Sequence, residues 1–259
     1  MDVNKNSYTI GFATLMVIIV AALLSSAAIG LKPLQSKNIE QEKKQNILKS
    51  VGIELDRELA EKDYSKYIKE ELVINHLGEI QEGSAFNVDL SKELRKDTKD
   101  QSYPLYIAQI DGEARYIIPL RGKGLWGPIW GFISLEEDLN TVYAAVFDHK
   151  SETPGLGAEI NRPFFQDPFT SKTIMENGKF VSIVVQKGGA NGDVHKVDGI
   201  SGGTITCDGV TDMIEERLSK YLPYFKSIST SMQVQKALEI VTQDESNDTI
   251  SNINKRIID

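Results

Sequence analysis

Cysteine is nearly absent from this chain of 259 residues, where Cys207 is the only one. A single thiol excludes an intramolecular disulfide, and it cannot build a thiolate-ligated iron-sulfur cluster or a cysteine-rich zinc site within the chain. Histidine is almost as scarce: His76, His149 and His195 lie far apart, and none falls in an H-x-x-x-H or H-E-x-x-H pattern. Metal chemistry therefore has little to work with. Positive charge is also short, with 29 Lys and Arg against 37 Asp and Glu and a formal charge of -8. A chain of that sign lacks the electrostatic footprint for wrapping a polyanion, which argues against nucleic acid as a partner. What is present, 41% apolar and 25% charged residues, suits one globular domain, alone or with appendages.

The mean hydropathy of -0.25 hides an uneven distribution, because no charged residue occurs from Asn6 to Leu31. About 20 apolar residues in a helix span the roughly 30 Å hydrocarbon core of a bilayer. Tyr8 to Leu31 is accordingly read as one transmembrane helix, within an anchor at residues 1–31. A cleaved signal peptide is the competing reading, since Ser25-Ser26-Ala27-Ala28 offers the small residues of a cleavage site. Against it, the run exceeds the roughly 7 to 15 residues of an ordinary h-region, and Lys5 is the only cation ahead of it. Small residues four apart, Ala21 with Ser25 and Ala22 with Ser26, would let a neighbouring membrane helix approach closely. Lys32, Lys37, Lys43 and Lys44 follow the span, so charge counting alone leans toward a cytoplasmic C-terminal domain.

Beyond the anchor, Pro33 is expected to end the membrane helix, and Leu34 to Val51 has Ile39, Ile47, Leu48 and Val51 at helical spacing. Glu54 to Glu71 is expected to continue helical with a loop near Lys62-Asp63-Tyr64, giving a connector at residues 32–71. Then the period changes. Leu72 to Ile74, Tyr103 to Ile110, Arg115 to Leu120, Ile129 to Leu135 and Val142 to Phe147 are rich in β-branched and aromatic residues, with a hairpin signal at Asp111-Gly112. Val181 to Val185 reads as a later strand, and Asp212 to Phe225 as a helix with Met213, Ile214, Leu218, Tyr221 and Leu222 on one face. The fold class is α+β, an antiparallel sheet with packed helices over residues 72–230. Polar composition predicts weak order in a tail at 231–259, with a short docking helix as the other possibility.

Three glycine-rich segments stand out. Gly122-Lys-Gly-Leu-Trp-Gly127 matches G-x-G-x-x-G by letter, but a dinucleotide fingerprint must open a helix, and here Pro128 and a β-like run follow. It is a bend between strands, in which Leu125 and Trp126 could wall a planar ligand. Glu152-Thr-Pro-Gly-Leu-Gly157 is a loop whose glycines would let backbone approach something flat. Val197-Asp-Gly-Ile-Ser-Gly-Gly-Thr204 reads as a loop entering a helix with Ser201 as N-cap. Thr204 then falls in the first turn, where unpaired N–H groups and the helix dipole favour an anion such as phosphate. Cys207 reads as a small packed residue rather than a redox thiol.

At these residues the sequence resembles the family of C subunits of sodium-translocating NADH:quinone reductases, membrane-anchored members of the covalent FMN-binding domain family. The resemblance runs from the anchor to about Phe225 and culminates in Asp198-Gly-Ile-Ser-Gly-Gly-Thr204. It implies FMN joined covalently to Thr204 by a phosphodiester, installed by a separate flavin transferase from FAD. Where the family has Ala before the modified threonine, this chain has Gly203. Ser201, Gly202 and Gly203 would flank the phosphoryl group. In the Glu152 to Gly157 motif, Thr153 would be a hydrogen-bonding partner and Leu156 an apolar contact of the ring. Trp126 is an added candidate for the pocket wall, and Thr206 offers a second hydroxyl two residues on. The resemblance further implies an electron-relay subunit working with the other subunits of a membrane redox complex, single-pass in a bacterial inner membrane with its C-terminal domain periplasmic. Two alternatives stay open: the flavinylated G subunit of the Rnf ferredoxin:NAD complex, and a membrane-anchored interaction protein without cofactor.

Overall fold

Apolar residues without a charge from Asn6 to Leu31 build the start of helix α1 (Asn6–Lys49), seen in a computed structural model that describes residues 6–258, with side-chain surroundings for 6–231. Its apolar stretch is long enough to cross a membrane and buries nothing against the rest of the chain, which fits a single-pass anchor. Pro33 does not end it, contrary to the sequence expectation. A proline inside a helix removes one N–H and crowds the carbonyl four residues back, at about 3 kcal/mol; the helix on both sides outlasts that cost. The last turns of α1 enter the core, where Ile47 and Leu48 are wholly buried with Val51 just beyond.

Asp56 then caps helix α2 (Arg57–Tyr67), its carboxylate accepting the Leu59 N–H at 2.9 Å. No loop interrupts Lys62-Asp63-Tyr64, because a continuous helix places Ala60 and Tyr64 one turn apart on the buried face. The helix expected as far as Glu71 instead gives way to strand β1 (Ile68–Ile74), which pairs with a later strand through Leu72↔Leu105 and Val73↔Pro104. Sheet pairing overrides the charged, helix-favouring letters there.

After β2 (Ile80–Gln81) and the short α3 (Leu90–Glu93) come β3 (Tyr103–Ile110), β4 (Glu113–Lys123), β5 (Pro128–Leu135) and β6 (Val142–His149). They form one antiparallel sheet in the order β2-β1-β3-β4-β5-β6. Asp111 and Gly112 turn β3 into β4 with φ of 53° and 89°, the paired positive values a type I′ hairpin needs. Past β6 the chain is mostly irregular around α4 (Pro163–Gln166), a small hairpin of β7 (Met175–Glu176) and β8 (Lys179–Phe180), and a parallel pair, β9 (Val184–Gln186) with β10 (Lys196–Asp198). The strand expected from Val181 begins only at Val184. Ser182 has a φ of 63°, and the N–H groups of Val181 and Ser182 both donate to the Ile174 carbonyl, which ends extended pairing there.

Helix α5 (Thr204–Ile258) contains the helix expected at Asp212 to Phe225 and continues through Pro223. The weak order expected at 231–259 concerns residues whose side chains lie outside those described; their backbone continues α5 to Ile258. The sheet is covered on both faces. Met213, Ile214, Leu218 and Phe225 of α5 share one buried cluster with Leu105, Ile118 and Ile133, whereas Ile47, Leu48 and Tyr64 share another with Tyr106, Ile117 and Phe132. Neighbours such as Ile117 and Ile118 point to opposite faces, as the two-residue period of a strand dictates. The architecture is the α+β fold expected, an antiparallel sheet with packed helices behind one long apolar N-terminal helix.

Candidate functional site

Three loops meet where α5 begins. In the first, Ile200 to Gly203 form a turn closed by the Gly203 N–H to the Ile200 carbonyl at 3.0 Å, with Gly202 at a φ of 76°. A turn with its third residue in that region calls for glycine. A Cβ at Gly202 would also come 2.6 Å from Leu156 Cδ2, so the Leu156 side chain lies directly on this turn. The first intrahelical bond of α5 runs from the Cys207 N–H to the Gly203 carbonyl at 2.9 Å. Gly203 therefore occupies the cap position expected of Ser201, which remains exposed in the turn because the left-handed Gly202 separates it from the helix.

Thr204 is the first helical residue, in the first turn as its motif predicted, and it is half-buried. The N–H groups of Thr204, Ile205 and Thr206 precede the first intrahelical bond, at the positive end of the helix dipole. Beside Thr204 opens a cavity of about 510 Å³, lined among others by Lys187, Asp198, Ser201, Gly202 and Cys207. Lys187 escaped the sequence reading, although the Gly188-Gly189 pair next to it was a visible signal, and Asp198 was read only as the start of the motif that ends at Thr204. Asp198 holds that glycine loop in place by accepting the Ala190 N–H.

Glu152 lies 4% exposed where the second loop, between β4 and β5 at residues 124–127, and the third, at residues 152–157, meet α5. Its Oε1 accepts the Trp126 N–H at 2.8 Å, and its Oε2 accepts the Thr206 hydroxyl at 2.7 Å. Gly157 packs so tightly here that a Cβ would fall 2.3 Å from Thr206 Oγ1 and 2.6 Å from Glu152 Oε2. The two hydroxyls thus have different surroundings, Thr204 bordering the cavity and Thr206 turned inward onto Glu152. Thr153 is exposed and its carbonyl accepts the N–H groups of Leu156 and Ala158, both at 3.1 Å, which curls the loop. Trp126 contributes its backbone, but the residue is 65% exposed and does not line the Thr204 cavity. Cys207 is packed as expected: it is buried, its Sγ receives the Ile200 N–H at 3.3 Å, and burial pushes its thiol pKa up. Among the described residues no group of His, Cys, Asp and Glu is gathered as metal ligands would be.

Residues 124–219, which include all three loops, match the FMN-binding domain family. The C subunit of the Na(+)-translocating NADH-quinone reductase of Vibrio alginolyticus is 31% identical over 221 residues, covering 78% of this chain and 86% of that protein. The chain belongs to this C-subunit family. The member from Vibrio anguillarum is 33% identical, with 76% of this chain and 86% of that protein covered. The crystal structure of the corresponding protein from Parabacteroides distasonis superimposes with a TM-score of 0.71 at 43% identity, covering 75% of this chain and 96% of that one. The three loops at the start of α5 thus lie within the stretch that matches the FMN-binding domain.

Proposed function

We propose that this chain is the electron-relay subunit of a membrane-bound, Na+-pumping NADH:quinone oxidoreductase, carrying FMN on Thr204 Oγ1 through a phosphodiester. The observation that carries the reading is the contrast between the two hydroxyls at the start of α5: Thr204 borders a cavity, whereas Thr206 is engaged by Glu152. In the attachment step the Thr204 oxygen bonds to the FMN phosphorus of FAD, the pyrophosphate bond breaks, and AMP leaves with the hydroxyl proton passing to solvent or base. A flavin transferase supplies that chemistry.

The residues fit the group. A phosphodiester keeps one negative charge, which the unpaired N–H groups of the first turn of α5 would hold, with Ser201, Gly202 and Lys187 on the cavity wall and the buried Gly203 just ahead of Thr204. Leu156, pressed onto Gly202, offers an apolar surface to a flat ring, and Thr153 and Gly157 belong to the same loop. Trp126 could only edge such a ring from its exposed position. Bound FMN supplies the redox chemistry, leaving the chain to place it and tune its potential.

NADH and quinone sites would belong to other subunits of such a complex, as the resemblance implies. The relatives named above favour the quinone reductase over the Rnf complex, and the FMN-binding match disfavours a scaffold without cofactor. The resemblance of the motifs supports, as part of this proposal, an anchor in a bacterial inner membrane and a periplasmic domain, against the lean of the lysine count. Co-expression with a flavin transferase, then denaturing-gel fluorescence and peptide mapping, tests this. Wild type and Thr206→Ala should carry FMN and Thr204→Ala should not; flavin retained by Thr204→Ala would place the attachment elsewhere.

A further inference from the structure

We propose that Glu152 is the positioning residue of the flavin site. Its carboxylate clamps the first turn of α5 to the loop that carries Leu156, and its buried negative charge makes the flavin harder to reduce. The inference rests on the reading that FMN is attached to Thr204.

The clamp joins three segments distant in sequence. One oxygen takes the N–H of Trp126 in the β4–β5 turn, and the other takes the hydroxyl of Thr206 in α5. Glycines make the room for both. A Cβ at Gly124 would come 2.6 Å from Oε1 and one at Gly157 would come 2.6 Å from Oε2, so the carboxylate fills space that a side chain at either position would take. Gly157 adjoins Leu156, and Thr206 is two residues past Thr204. Removing the carboxylate would free both contacts of the site at once and leave the Thr206 hydroxyl and the Trp126 N–H without their partner, a costly arrangement in a buried place.

The charge is uncompensated. Both partners are neutral donors, and among the described residues no Lys or Arg pairs with Glu152. A carboxylate held by neutral donors away from water acts over a longer range than a surface charge, because little solvent screens it. Reduction adds electron density to a flavin, so a fixed negative charge hydrogen-bonded to Thr206, two residues from the attachment point, would oppose it.

Glu152→Gln keeps the shape, offering an oxygen to Trp126 and an amide to the Thr206 oxygen, while it removes the charge. The full chain would be co-expressed with the transferase, mapped for FMN on Thr204 and titrated potentiometrically. Glu152→Gln is expected to carry FMN on Thr204 and to shift its oxidised-to-reduced ratio at least tenfold toward reduced at fixed ambient potential, about 30 mV for a two-electron couple. Glu152→Asp should retain most of the wild-type potential. A Glu152→Gln protein with FMN on Thr204 and an unchanged potential overturns the proposal and leaves the attachment intact. Wild type without FMN on Thr204 overturns both. If Glu152→Gln does not accumulate, Thr206→Val decides, since it keeps the charge and releases the helix. The flavin's visible circular dichroism should then weaken, and a wild-type spectrum would overturn the clamp.

Discussion

Thr204 and Thr206 are chemically identical, and their surroundings alone separate them. The motif pointed to Thr204 because a glycine turn running into a helix is legible as a local pattern, and the structure places it in the first turn as expected. The fate of Thr206 was not legible, since its partner Glu152 is 54 residues away and only the tertiary fold brings the two together. The cap was misread for a related reason: Ser201 has the right chemistry, but the left-handed Gly202 moves the helix start past it. Cys207 allows a test at this scale. Burial raises its thiol pKa and encloses the sulfur, so maleimide at neutral pH should leave the native protein unlabelled and modify it fully in urea. Labelling of the native protein would show that the start of α5 opens readily.

At the scale of elements, five of the strands were readable from runs of β-branched and aromatic residues, and so was the Asp111-Gly112 hairpin. What failed were interruptions. Pro33, the polar Lys62-Asp63-Tyr64 and the apolar run at Val181 are local signals overruled by a long helix, a buried face and a left-handed serine respectively. The end of α1 is the clearest case, because residues expected to form a connector are built into the core. Leu48 is wholly buried in a cluster with Tyr106, Ile117 and Phe132. Leu48→Ala should therefore lower the stability of the full chain in detergent by about 3 kcal/mol, read as a lower urea midpoint. Leu34→Ala, on the exposed stretch of the same helix, should stay within about 0.5 kcal/mol of wild type.

For the whole molecule, the acidic composition is less telling than the tyrosines gathered on both faces of the sheet. Tyr64, Tyr103, Tyr106, Tyr116, Tyr221 and Tyr224 all have raised pKa values, with burial the leading cause in each. Tyr224 is pushed up to about 12 from an ordinary 10.0. A group whose folded pKa exceeds its unfolded one contributes stability that is complete below the unfolded value and lost as pH rises. Folding stability should thus hold up to about pH 10 and decline above it, with the Tyr224 share lost between about 10 and 12. Urea titrations across that range, followed alongside phenolate absorbance, would check it; tyrosines that ionise freely at pH 10 in the folded protein would contradict it.

Helix α1 also has a mechanical consequence. It runs without a break from the apolar stretch into the core, and from Leu31 to Ile47 it rises about 24 Å along its axis. The domain stands on a mast with no joint, bendable only near Pro33. The distance from the apolar stretch to the domain is set by a count of helical residues, so under the proposed attachment of FMN to Thr204 a partner centre would have to do the travelling itself.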